Sequence, residues 1–290
     1  DAKLYNILNK ENVDFFQKTL TELEEKDVTE IKIQNEGETI QAIRVDKDNW
    51  RIIKPQETEA DMATIRSYFF DLKEAKITKF INQSQDDKNS FGLKKPKRSF
   101  SLLTANGKAQ RILFGKSTLG GNHFYAQRTG ESTVFSVSKE TTQKLFRTFH
   151  EFRNKKLFKF KTDDINKIII ETRKVLFELQ KSDSHWNLLK PEKIKIKEFI
   201  GNDILWTLQG MKFDFFEKTK NIPASSGLNS PTFKLSLWKN NVEKFTELQV
   251  GKLDSNRKKY FAKIEGQKGY YQINSKFLDS IPLVIDQFKP

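Results

Sequence analysis

Apolar and polar residues alternate through Ile31 and Ile33 and again through Ile40, Ile43 and Val45, on either side of Asn35-Glu36-Gly37. That pattern predicts two strands joined by a tight hairpin turn, with a third strand carrying Trp50 and Ile52. The period then changes. Ile65, Tyr68, Phe69 and Leu72 recur at helical spacing behind an acidic start, which predicts a helix over 61–75 with one buried face. A polar stretch that could be helical runs to Gly92, and four more alternating segments follow near 99–104, 110–114, 124–128 and 133–137. Asn106-Gly107, Gly120-Gly121-Asn122 and Gly130 punctuate them as turns. A closing helix over 139–152 places Leu145, Phe149 and Phe152 on one face. Hairpin runs interrupted by helices predict an α+β class with antiparallel sheets and covering helices, not a doubly wound parallel sheet.

The chain then repeats itself. The segment from Asn49-Trp50 to Lys54-Pro55 returns as His185-Trp186 to Lys190-Pro191, 136 residues on. Gly92-Leu93 and Pro96 return as Gly227-Leu228 and Pro231 at a separation of 135, and Gly115-Lys116 returns as Gly251-Lys252 at 136. Tyr125-Ala126 through Gly130 matches Phe261-Ala262 through Gly266. Four landmarks in one order at nearly constant offset indicate a tandem duplication, giving pseudo-symmetric halves with a one-residue indel expected in the second copy's first hairpin. The expected division is a helical lead-in over 1–26, a first repeat over 27–160 and a second over 161–290.

The recurrent residues read as fold signatures. Gly92 and Gly227 suit a left-handed exit from a turn, with Leu93 and Leu228 pinned to the core and Pro96 and Pro231 preventing further helix. Trp50 and Trp186 lie on alternating strands as buried sheet anchors. Pro55, Pro191, Gly115 and Gly251 complete the set.

With 290 residues and 25 Phe the chain can bury a substantial core, and no run reaches the 18 apolar residues of a membrane-spanning helix. Zero Cys removes disulfides, thiolate nucleophiles and Cys-ligated metals, and is weakly consistent with an oxidising compartment. The net charge of +14 suggests an anionic partner at first, yet each half carries +7 with acidic residues interspersed. Arg153, Lys155 and Lys156 form one short basic group, and Arg257, Lys258 and Lys259 another. They are a candidate contact surface, but counterion release at nucleic acid requires a longer contiguous stripe.

No motif carries chemistry convincingly. Gly115-Lys116-Ser117 has the tail of a phosphate loop, but Gln110 stands where its first glycine belongs and a strand follows instead of a helix. Ser136 and Lys139 have the serine–lysine spacing of penicillin-binding enzymes, but Ser136 falls on a strand and Ser138 reads as a helix N-cap. His123, His150 and His185 lack ligand-type partners at metal-binding spacing, and the acidic doublets Asp86-Asp87 and Asp163-Asp164 fall at element starts. No catalytic, cofactor or metal residues are assigned.

The segment from Trp50 to Pro55, Gly92-Leu93 to Pro96, the hydrophobic strand into Gly115, the Tyr125 strand and the Phe149–Arg153–Leu157 segment together resemble the family called domain of unknown function 4340. The resemblance spans both copies and implies an extracytoplasmic, periplasmic domain anchored by an N-terminal membrane helix that is not part of this sequence. It also implies a non-enzymatic auxiliary of an ABC-transporter-like complex of the gliding-motility kind. The implied partners are envelope proteins, near an anionic membrane, with no cofactor. A nucleic-acid or anionic-surface binder is the alternative, and an envelope enzyme the third.

Overall fold

In the computed structural model, which describes residues 18–81, 90–183, 185–240, 243–254, 256 and 258–290, the first alternating segments form β1 (Val28–Asn35) and β2 (Glu38–Arg44). They pair antiparallel, Ile33 opposite Ile40, about a two-residue turn in which Glu36 and Gly37 both take positive φ. Contacts divide the chain into two units, Asp1–Asn154 and Lys155–Pro290.

In the first unit β3 (Trp50–Lys54) and β4 (Thr58–Glu59) extend the hairpin outward. Helix α1 (Met62–Glu74) follows, started by Asp61, whose side chain accepts the Thr64 N–H. Next come β5 (Lys79–Ile81), β6 (Arg98–Thr104), β7 (Ala109–Ser117), β8 (His123–Arg128) and β9 (Val134–Ser138). The result is one nine-stranded antiparallel sheet in the order β4-β3-β2-β1-β6-β7-β8-β9-β5. Its core gathers Trp50, Tyr68, Phe100, Phe114, Phe135 and Phe152, all at most 2% exposed.

The second unit repeats that order. Strands β10 (Lys167–Thr172), β11 (Leu176–Ser182), β12 (His185–Lys190) and β13 (Ile194–Lys195) precede a helix over Ile200–Gly210. Strands β14 (Phe213–Glu217), β15 (Phe233–Lys239), β16 (Glu243–Asp254), β17 (Lys259–Ile264) and β18 (Tyr270–Asn274) complete a sheet ordered β13-β12-β11-β10-β15-β16-β17-β18-β14. The duplication is therefore one of strand order as well as of landmarks.

Helices are sparser than the α+β expectation. The closing helix over 139–152 is two pieces, α2 (Lys139–Leu145) and α3 (Phe149–Phe152), because Thr148 and Glu151 form a capping box that starts a new helix. Its counterpart consists of 3-10 turns at Ser275–Ser280 and Ile285–Gln287, separated by Pro282, which lacks the N–H a continuous helix needs. The Ile200–Gly210 helix is α4 in chain order. The polar stretch before Gly92 lies largely outside the described residues.

The indel sits elsewhere than expected. The first hairpins match turn for turn, Asn35–Glu38 against Thr172–Val175, at an offset of 137, whereas Trp50 and Trp186 differ by 136. One residue is thus lost between the second and third strands. The structural repeat also begins earlier than the sequence landmarks do. Thr19 bridges Lys76 as Lys156 bridges Lys212, and the 3-10 turn Glu25–Asp27 matches Thr162–Asp164. Of the segment 1–26, residues 1–17 lie outside the described residues.

Candidate functional site

The signature residues are consumed by the fold. Gly92 and Gly227 have φ of 73° and 69°, the left-handed conformation in which a side chain is strained. Across from each, a second glycine on a strand lets that loop cross. A Cβ on Gly115 would lie 2.0 Å from the Phe91 carbonyl oxygen, and one on Gly251 would lie 2.2 Å from that of Ser226. The Lys116 N–H donates to the same Phe91 carbonyl at 2.7 Å. Gly115-Lys116-Ser117 therefore belongs to a strand packed under a loop, a backbone that cannot wrap a phosphate. Leu93 and Leu228 are buried beside these crossings, and Pro96 and Pro231 follow them. Pro55 and Pro191 each follow a cis peptide bond at the end of the Trp strands.

Ser138 caps α2 by accepting the Thr141 N–H at 3.0 Å, and Ser136 is buried on β9 with its hydroxyl toward the Lys79 carbonyl. His123, His150 and His185 sit on β8, α3 and β12, and among the described residues no three His, Asp or Glu side chains are grouped to hold a metal ion. Asp86-Asp87 and Arg257 lie outside the described residues.

The two basic groups fall as follows. Arg153 belongs to the first unit, where its backbone bridges Ala60 and its guanidinium lies over the Phe149 ring. Lys155 and Lys156 open the second unit alongside Lys212 and Phe213, the Lys155 carbonyl accepting the Phe213 N–H. Register brings Lys258 and Lys259 to the same end of that sheet, since Phe213 faces Ile273 and Lys259 faces Asn274. The Lys259 ammonium pairs with Asp214 at 2.5 Å, so part of this positive charge is neutralised locally.

Three surface features went unnoticed in the sequence. The first is a pair of exposed aromatics at equivalent helix positions: Phe70 on α1, 64% exposed, and Trp206 on α4, 55% exposed. Phe70 borders a cleft of about 860 Å³ floored by Leu23, Met62, Phe69 and Leu72. Its rim is charged in both signs, with Lys26 pairing Glu24 at 2.7 Å and Arg66 facing Asp48 at 3.6 Å. That pairing holds the Glu24 carboxyl below its ordinary range and the Lys26 ammonium above its own.

The second is a pair of counterpart polar clusters in the β1–β2 and β10–β11 ladders. Gln41 donates to Glu30 in the first unit, while in the second Glu178 holds Lys167 and Lys190, each at 2.9 Å. Hydrogen bonds from those two ammonium groups push the Glu178 carboxyl below its ordinary range. The third is a charge reversal at the sheet edges: Glu57, Glu59 and Asp61 flank β4, and Lys193, Lys195 and Lys197 occupy the positions 136 residues on. Comparing every position at that offset, not the landmarks alone, finds both the aromatic pair and the reversal.

The model of the domain of unknown function DUF4340 matches residues 50–231 and, again, residues 186–289, so its two matches begin at the equivalent residues Trp50 and Trp186. No curated protein and no solved structure matches the chain. The chain belongs to the domain of unknown function 4340 family.

Proposed function

We propose that this member of the domain of unknown function 4340 family is an extracytoplasmic binding or scaffold protein, anchored at a membrane, that serves as an auxiliary component of an ABC-transporter-like envelope complex of the gliding-motility type. The observation that carries the association role is the pair Phe70 and Trp206. Each repeat holds a large aromatic side chain out in solvent at the same helix position, at 64% and 55% exposure. A duplicated fold gains nothing from that exposure, whereas aromatic residues are enriched where protein surfaces meet. The mixed-charge rim beside Phe70 suits a polar-rimmed protein contact.

The family resemblance is what supports anchoring and the transporter partner; among the described residues no helix is long and apolar enough to cross a membrane. The test is photo-crosslinking in intact cells from probes at Phe70 and Trp206 of the full-length protein, followed by identification of the captured proteins. Envelope transporter components are the expected catch. A uniformly cytosolic full-length protein with no envelope partner recovered would sink the reading. Affinity for nucleic acid that collapses with added salt would favour the alternative, an anionic-surface binder.

A further inference from the structure

The two sheets end in edge strands built on one plan with opposite charge. In the first unit the outer side of β4 is sealed. The Asn154 N–H donates to the Glu59 carbonyl at 2.8 Å, the Asn154 side chain reaches the Glu59 carboxylate, and the Asp61 N–H donates to the Phe152 carbonyl at 2.7 Å. The second unit keeps the last of these bonds, with the Lys197 N–H donating to the Phe288 carbonyl at 3.0 Å. It cannot keep the first. Pro290 stands at the position of Asn154 and has no N–H, so the Lys195 carbonyl lacks the donor that the Glu59 carbonyl has.

Beside that edge lies a groove of about 880 Å³ lined by Trp186, Lys193, Ile194, Lys195, Lys197 and Pro290. Burial alternates along it: Lys193, Lys195 and Lys197 are exposed, Ile194 is half-buried and Ile196 is buried. Among the described residues Lys193 and Lys195 form no ion pair, and the Lys197 ammonium donates only to the Gln287 carbonyl.

We infer that the β13 edge groove binds an extended acidic peptide of a partner protein, which adds a strand to the sheet and sets its alternate carboxylates against Lys193, Lys195 and Lys197. Alternate side chains of an extended chain recur at roughly 6.6 Å, so the lysine spacing and that of a peptide laid beside it coincide. Main-chain bonds to the part of the edge left open at Lys195 provide affinity and side chains of alternate positions provide selection, as in other strand-addition complexes. Single-stranded nucleic acid fits less well. Its binders stack successive bases on several exposed rings, whereas of the two rings lining this groove Trp186 is 3% exposed, which leaves the His185 imidazole as the single exposed platform.

The inference rests on the reading of the chain as a protein-binding module, and its test is separable from that of the module. The probe is fluorescein-labelled acetyl-(Ala-Glu)4-amide, titrated into the 290-residue chain and followed by fluorescence anisotropy. The expected result is binding about tenfold tighter than for the (Ala-Gln)4 peptide, with a loss of about tenfold or more in the Lys193→Glu/Lys195→Glu variant. Lys193→Gln/Lys195→Gln, which keeps the length and removes the charge, should lose an intermediate amount and guards against misfolding of the reversal.

N-methylation of alternate peptide amides, at unchanged charge, should weaken binding about tenfold if strand pairing contributes. Affinity indifferent to both lysine variants, or to N-methylation, would overturn the inference. So would an oligothymidylate that binds more tightly and displaces the peptide, or self-association of the chain that the lysine reversal abolishes. Envelope partners captured at Phe70 and Trp206 with no peptide binding would defeat this inference alone. Peptide binding with no envelope partner would defeat only the reading it rests on.

Discussion

Trp50 and Trp186 anchor equivalent strands, yet their helices hold them differently. On α1, Ile65 is fully buried at the position that Gly201 occupies on α4, and Phe69 meets the Trp50 ring at 5.8 Å. On α4, Gly201 lets the helix backbone lie directly on the second ring, since a Cβ there would be 2.3 Å from Trp186. Trp186 Nε1 donates to Asn202 at 3.0 Å, whereas among the described residues neither Trp50 Nε1 nor the hydroxyl of Tyr68 has a partner. Burial pushes that Tyr68 hydroxyl far above its ordinary pKa. The same backbone frame is thus kept by two packing solutions, one of size and one of close approach with a hydrogen bond. What the duplication retains is what the backbone requires; what it varies is how the space around a fixed ring is filled.

Exchanging the two solutions should break the comparison hardest. Gly201→Ile forces a branched side chain into the Trp186 ring and should unfold the second unit, a loss of about 4 kcal/mol or more. Ile65→Gly leaves a cavity and adds a flexible residue to α1, for about 3–5 kcal/mol lost from the first unit. Hydrogen exchange resolved by peptide would show each loss confined to its own unit. Equal loss of protection in both units after either change would refute separate cores.

Where the two units agree, paired substitutions should agree too. Gly115→Ala and Gly251→Ala push a methyl group into a carbonyl oxygen, and each should lower stability by about 2–4 kcal/mol. Gly92→Val and Gly227→Val place a β-branched residue at positive φ, costing about 1–3 kcal/mol each. Unchanged thermal midpoints for both valine variants would refute the left-handed role.

These glycines show how far the sequence could be read. The positive φ of Gly92 and Gly227, the Ser138 cap, the α1 face and the long strands were all legible, because each leaves a local trace: a turn residue, a cap, a period of two or of 3.6. The edge strands β4 and β5, at Thr58–Glu59 and Lys79–Ile81, are too short to show a period; β4 pairs with its neighbour β3, and β5 is held by the distant strand β9. The break at 146–148 was masked because Leu145, Phe149 and Phe152 keep helical spacing across it. Gly115 and Gly251 were visible as recurrent residues, but the loop that crosses them is non-local. The charge reversal from Glu57, Glu59 and Asp61 to Lys193, Lys195 and Lys197 was present in the letters, yet it acquires meaning only once those residues are known to flank sheet edges.

Smaller changes sharpen the contrast between the rings. Asn202→Ala removes the acceptor of Trp186 Nε1 and should cost about 1–2 kcal/mol, since a buried donor is left unpaired. Tyr68→Phe removes a buried hydroxyl that lacks a partner and should leave the first unit as stable as before, or up to about 1 kcal/mol more so. Urea unfolding of the two variants measures both. Equal destabilisation would mean that the Tyr68 hydroxyl is satisfied in solution, and the asymmetry between the units would fall.

The smallest effect separates the units by pH. Glu178 faces Lys167 and Lys190 from β11, and the ammonium groups hold its carboxyl below the ordinary value of 4.5, whereas the first unit has the untitratable Gln41 at that place. A carboxyl depressed in the folded state contributes stability that is fully present above the unfolded value and lost as pH falls through the folded one. The second unit should therefore lose stability, by less than about 1 kcal/mol, as pH drops below 4.5 toward the folded value. Glu178→Gln abolishes this contribution and leaves the two lysines facing each other unneutralised. The variant should be less stable than the parent at neutral pH, and the gap should narrow as acid protonates Glu178 in the parent. Unfolding midpoints at pH 7, 5, 4 and 3 follow the gap directly, and one that stayed constant or widened on acidification would show that the lysines do not hold this carboxylate.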